Sequence, residues 1–140
     1  PKARRDFWAQ IHRLAGEGLT VLASTHYMDE AERCHQIAYI SFGKLLVAGS
    51  GDEILRASGL RTWEVTGSAL AELSARLAAA DDWLVVPFGT RLHVTHDGGA
   101  DLADWLASHA ADLDCRAQEI ASGLEDLFIS LMRREGDRVQ

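Results

Sequence analysis

The run Leu19-Thr20-Val21-Leu22-Ala23-Ser24 constrains this chain most. Nearly every residue in it is apolar or small, and polar and apolar positions do not alternate. Such a run reads as a strand covered on both faces, as in a parallel sheet. A parallel strand needs parallel neighbours, reached through crossovers of about a dozen residues or more. Residues 1–59 offer too few of either. They read as half of an α/β domain, with the other half expected upstream. The run ends at Thr25-His26, and Asp29, Glu30 and Glu32 follow at a helix start, where carboxylates favour the helix dipole.

The flanks agree with this reading. Phe7, Trp8, Ile11, Leu14 and Ala15 form one helical stripe over Lys2 to Ala15. Pro1 suits a first turn, and Gly16 and Gly18 mark a stop. After His26 the pattern predicts a helix from Met28 to Cys34, capped by Thr25 or His26. A strand over Gln36–Ser41, a turn at Phe42-Gly43-Lys44 and a returning strand over Leu45–Val47 come next. Ser50 or Asp52 caps a short helix through Leu55, and Ala57-Ser58-Gly59 reads as a linker.

Residues 60–140 have another rhythm. Strands are expected at Thr62–Thr66, Trp83–Phe88, Arg91–Thr95 and Cys115–Ile120. Helices are expected from Ser68 to Ala80 and around Leu102, Trp105, Leu106 and His109. Pro87 marks an edge or a strand end. The order β-α-β-β-α-β is the ferredoxin-like split pattern, an α+β unit. Ser122-Gly123-Leu124-Glu125 reads as a capping box opening a last helix, with Leu124, Leu127, Phe128, Leu131 and Met132 on its buried face. The chain is expected to divide into residues 1–59 and an accessory domain over residues 60–140.

Apolar residues make up 47% of the chain and charged residues 25%, a globular composition. The formal net charge of −7 argues against nucleic acid as a partner, since phosphates require a basic field. No stretch approaches the ~20 apolar residues of a membrane span. Cys34 and Cys115 lie far apart in sequence. A reducing compartment is the simpler reading, with a single disulfide left open.

His26 is the candidate site residue. A polar group at the carboxyl end of a parallel strand sits where open α/β sheets bind ligands. The competing reading has His26 only capping the helix. A metal reading over His26, Glu30, Cys34 and His35 matches no recognised ligand spacing. His12 and His35 read as solvated residues; His93 and His96, with Asp97 adjacent, read as surface residues by default, with a ligand site as the alternative. Trp8, Trp63, Trp83 and Trp105 read as core or partner-facing aromatics.

The stretch GLTVLASTHYMDEAERCHQIAYISFGKLLVAGSGDEIL resembles the downstream half of the ATPase domain of ATP-binding cassette (ABC) transporters. Ser24-Thr25-His26 and Glu30-Ala31-Glu32 match that family's strand end and acidic helix. Ile40, Gly43, Lys44 and Gly49 match its hairpin. Pro1 resembles the end of its Asp-Pro dipeptide, the D-loop. Gly123-Leu124-Glu125-Asp126-Leu127-Phe128 resembles the closing helix of drug- and antibiotic-exporter members, which commonly carry an accessory C-terminal domain. The resemblance implies the C-terminal part of a P-loop ATPase domain, with His26 as the switch (H-loop) histidine that reaches the γ-phosphate. It implies ATP and Mg²⁺ as cofactors of the full-length protein, and a transmembrane permease subunit and a second ATPase subunit as partners. It places the protein in the cytoplasm, at the inner face of the membrane.

The sequence contains no Gly-x-x-x-x-Gly-Lys-Ser/Thr cradle, no Leu-Ser-Gly-Gly signature and no Walker B carboxylate pair. With Pro1 rather than methionine first, the expectation is a C-terminal fragment that neither binds nor hydrolyses ATP, and that self-associates through uncovered apolar surface. The alternative is a stand-alone ferredoxin-like small-molecule sensor or protein-interaction module. The transported substrate cannot be read from these residues.

Overall fold

A computed structural model describes residues 2–80 and 82–138, and of residues 136–138 the backbone alone. Pro1, with its D-loop assignment, lies outside the described residues. The first helix, α1 (Lys2–Gly16), and the short α2 (Met28–Ala31) precede a hairpin of β1 (Ile37–Ser41) and β2 (Lys44–Gly49). The hairpin closes through a two-residue loop, with Ser41 paired to Lys44. Phe42 and Gly43 both take positive φ, 49° and 73°. That is the backbone of the primed turn whose twist suits a hairpin.

The segment Leu19–Ser24 does not form the expected strand: it has no ladder partner and its residues are exposed, Leu22 at 99%. Strand structure requires a neighbouring edge, and both sheets among the described residues are built from other segments. The helix expected to reach Cys34 is also shorter, ending at Ala31 and continuing as turns.

Helix α3 (Gly51–Ser58) starts at a complete capping box, with Ser50 and Glu53 exchanging side-chain and backbone bonds. Ala57 and Ser58, read as linker, are its last turn, and Gly59 ends it in the left-handed conformation at φ 66°. Only Gly59 and Leu60 separate α3 from β3 (Arg61–Gly67).

The remaining elements are α4 (Leu70–Ala79), β4 (Leu84–Phe88), β5 (Arg91–His96), α5 (Leu102–His109), β6 (Cys115–Ile120) and α6 (Leu124–Arg138). Their four strands form one antiparallel sheet in the order β4-β5-β3-β6. Pro87 sits on β4, an edge strand, where its missing N–H costs no ladder bond. Period-2 alternation turns Trp63, Val65, Leu92 and Val94 into one core with Leu73 and Leu77 of α4, Leu102 of α5 and Trp83. Trp63 and Trp105 each meet Trp83 edge-on, at centroid separations of 5.8 and 6.1 Å.

A second core lies elsewhere. Leu124, Leu127 and Phe128 of α6 bury themselves with Ile54 of α3, against Ile37, Tyr39 and Val47 of the hairpin and Leu60. Phe128 stacks on Tyr39 at 4.2 Å, with the ring planes 16° apart. The last helix thus packs on residues 28–60 rather than into the core of the four-stranded sheet. It is also tied to that sheet. Thr62 Oγ1 lies 3.2 Å from Thr95 Oγ1 and 2.8 Å from Ser122 Oγ. Arg133 donates to the Trp83 carbonyl, and Arg134 Nε donates to Asp97 at 2.8 Å.

The capping box expected at Ser122 and Glu125 is replaced. Ser122 is engaged with Thr62, so Asp126 instead accepts the Gly123 N–H at 2.8 Å, one residue later than the pattern suggested. Met132, expected on the buried face, is exposed.

Candidate functional site

His26 lies between the exposed segment 19–24 and α2. The main chain there is held by Thr25. Its Oγ1 accepts the Tyr27 N–H at 3.1 Å and donates to Glu30 Oε2. Glu30 also accepts from Arg4 Nε on α1, and Arg4 Nη2 reaches Asp29 at 3.4 Å. The Thr25 hydroxyl and the Arg4 guanidinium, in that order, hold the Glu30 carboxyl down at about 2. Arg4 also lies over the Tyr27 ring, 4.3 Å from its centroid.

His26 caps nothing. Thr25 does the local capping, and Tyr27, the residue before α2, makes no side-chain cap bond. The His26 ring is exposed and rests against the Tyr27 ring, centroids 4.2 Å apart and planes tilted by 34°. Among the described residues its nitrogens have no hydrogen-bond partner. An imidazole left in that state presents an N–H donor to whatever approaches.

The other candidate ligands are committed elsewhere. Glu30 is turned to Arg4 and Thr25, and the Cys34 thiol donates to the Glu30 carbonyl at 3.6 Å. Burial pushes the Cys34 thiol up. His12 Nε2 lies 3.1 Å from the Arg33 carbonyl, and the His12 and His35 rings are 6.4 Å apart. No group of three or more His, Cys, Asp and Glu gathers among the described residues to hold a metal. His96 accepts the Gly98 N–H on Nδ1 at 2.8 Å and packs on Trp83. His93, read from sequence as a surface residue, is 18% exposed and sits 3.5 Å from Asp126.

Sequence reading singled out His26 as a candidate, but not the Arg4 and Glu30 side chains beside it. Arg4 and Glu30 are 26 positions apart, and no local spacing links them. A small cavity of 140 Å³ between β2, α3 and α6 is lined mainly by Leu46, Val47, Ile54, Leu60, Leu127 and Leu131. His26 is not among its lining residues, which are mainly apolar positions of the hairpin, α3 and α6.

No family model matches the chain. Individual proteins do. It is 28% identical over 142 residues to the probable multidrug ABC transporter ATP-binding protein YbhF of Escherichia coli (strain K12), covering 97% of this chain and 24% of that protein. It is 30% identical over 141 residues to the Nod factor export ATP-binding protein I of Burkholderia thailandensis, covering 96% of this chain and 44% of that protein. The protein of that name from Bradyrhizobium diazoefficiens is 27% identical over 144 residues, covering 99% and 44%. The chain therefore spans 24% to 44% of these relatives' length. Along nearly its whole extent the chain is similar to proteins named as the ATP-binding proteins of a probable multidrug ABC transporter and of Nod factor export.

Proposed function

We propose that the chain is the C-terminal piece of the ATP-binding subunit of an ABC exporter, with His26 as its contact to the γ-phosphate. The observation that carries this is the alignment of 96% or more of the chain with exporter ATP-binding proteins, each matched over less than half its length. In this reading residues 1–59 end the ATPase domain, and residues 60 onward form an accessory ferredoxin-like domain. The antiparallel order β4-β5-β3-β6 supports the latter. Helix α6 returns to close the core of the first part.

His26 fits the phosphate side of such a site. It is exposed, free of other hydrogen bonds among the described residues, and held on a short loop by Thr25. Phosphoryl transfer is chiefly positioning and charge stabilisation. An imidazole N–H donated to a phosphate oxygen supplies both at a fixed direction. The described residues gather no cluster of His, Cys, Asp and Glu that would hold the Mg²⁺ the complete protein would use. The complete protein would hydrolyse ATP, pair with a second ATPase subunit and dock on a membrane permease from the cytoplasmic side. No helix among the described residues is long and apolar enough to cross a membrane.

The test is His26→Ala in the complete protein. Turnover falls roughly a hundredfold or more while ATP still binds. Unchanged turnover reduces His26 to a surface residue. Isothermal titration of the 140-residue chain alone should show no micromolar ATP binding, because the phosphate cradle is absent from its sequence.

A further inference from the structure

An exposed histidine with no hydrogen bond of its own is ordinarily free to turn about both side-chain bonds. His26 is not placed that way. Its ring rests on Tyr27, and the Tyr27 ring in turn carries the Arg4 guanidinium. Arg4 is anchored by Glu30 and Asp29, Glu30 is anchored by Thr25, and Thr25 accepts the Tyr27 N–H. Tyr27, Arg4, Glu30 and Thr25 close a loop that runs from α1 across to α2 and back to the residue beside His26.

We propose that Tyr27 is the positioning residue for His26: its ring is the platform that sets the imidazole's direction, and Arg4, held by Glu30, sets the platform. The catalytic consequence rests on the phosphate reading of His26; the platform itself does not. Tyr27 acts through its ring face rather than its hydroxyl, which has no hydrogen bond among the described residues. Phenylalanine should therefore serve in its place and alanine should not. The arrangement also favours arginine over lysine at position 4 of α1. Lysine would supply the charge, but it lacks the flat guanidinium that covers a ring and bridges two carboxylates together.

The first experiment reads the platform directly in the 140-residue chain. The His26 ring-proton resonances, assigned by their loss in His26→Ala, carry a ring-current shift from Tyr27. That shift is retained in Tyr27→Phe and lost in Tyr27→Ala and Tyr27→Leu, the latter keeping apolar bulk at the site. It is reduced in Arg4→Lys. His26 resonances that do not move in Tyr27→Ala and Tyr27→Leu overturn the proposal.

The second experiment reads the consequence in the complete ATPase. Tyr27→Ala lowers kcat roughly ten- to a hundredfold, with KM for ATP unchanged, and Tyr27→Phe restores kcat. A full kcat in Tyr27→Ala, where His26→Ala is inactive, overturns the positioning role. Undiminished turnover in His26→Ala, with the resonances moving as expected, sinks the phosphate reading alone and upholds the platform.

Discussion

His93 Nδ1 on β5 stands 3.5 Å from Asp126 Oδ1 in the first turn of α6. The two side chains are 18% and 11% exposed, so the pair is mostly out of water. Phe88 covers the imidazole, stacked at 4.8 Å with the planes 9° apart. Asp126 meanwhile accepts the Gly123 N–H. One carboxylate therefore starts the last helix and fastens it to the sheet.

Asp126→Ala should cost about 1–2 kcal/mol, the sum of a lost helix-start bond and a lost partner for His93. In a double-mutant cycle with His93→Ala, urea unfolding should give a coupling of about 0.5–1 kcal/mol. Strict additivity would mean that the two groups do not interact.

Acid should loosen the support of His26 before it unfolds the chain. The Glu30 carboxyl is held at about 2, chiefly by the Thr25 hydroxyl and then by Arg4, against 4.5 for a free glutamate. The folded-state value is depressed, so the stabilisation is fully present above about 4.5 and is lost as the pH falls towards about 2. Tyr27 and His26 resonances should move within that window in the native chain. They should not show that transition in Glu30→Gln.

Two glycines should respond very differently to alanine. A Cβ on Gly67 would lie 2.1 Å from the Asp114 carbonyl oxygen and 2.8 Å from Cys115 Cα, both backbone atoms at the β3–β6 pairing. Gly67→Ala should cost about 3 kcal/mol or more and shift the Cys115 end of β6. Gly59, at φ 66°, faces open space. Gly59→Ala should cost only about 1 kcal/mol, the strain of a left-handed alanine. Equal effects in thermal melts would contradict this geometry.

Leucines should report which part of the chain is covered. Leu73 is fully buried in the core of the four-stranded sheet, and Leu73→Ala should cost about 2–5 kcal/mol. Leu22 is 99% exposed, and Leu22→Lys should leave stability within about 0.5 kcal/mol. The exposed run of Leu19, Val21 and Leu22, with Phe7, should instead drive self-association. Sedimentation at high concentration should show assembly that Leu22→Lys weakens. A clean monomer argues against it.

What sequence could reveal follows from the range of each interaction. Cys115–Ile120 forms a strand with the bounds expected from its pattern, and α4, β4, β5 and α5 lie within a few residues of theirs. Their signals are local: alternation, helical stripes and a proline on an edge. Leu19–Ser24 carries an equally clear signal, yet a strand exists only where another backbone pairs with it. The side of the chain that α6 would cover was not legible either. Leu124, Leu127 and Phe128 announce an apolar stripe, but nothing in their spacing names Tyr39 and Ile54 as the surface they meet. The Arg4–Glu30 tie was missed for the same reason. A long ion pair chosen by geometry leaves no periodic trace.

Helix α6 gives the chain an order of completion. Tyr39, Val47 and Ile54 leave the ribosome long before Phe128 does, and the four-stranded sheet between them contains all of its own core. During synthesis the middle can therefore settle while the early hairpin waits, its apolar side open to chaperones or to a neighbouring nascent chain. A premature stop between Ile120 and Leu124 would spare the part that looks most elaborate and orphan the part that carries the histidine.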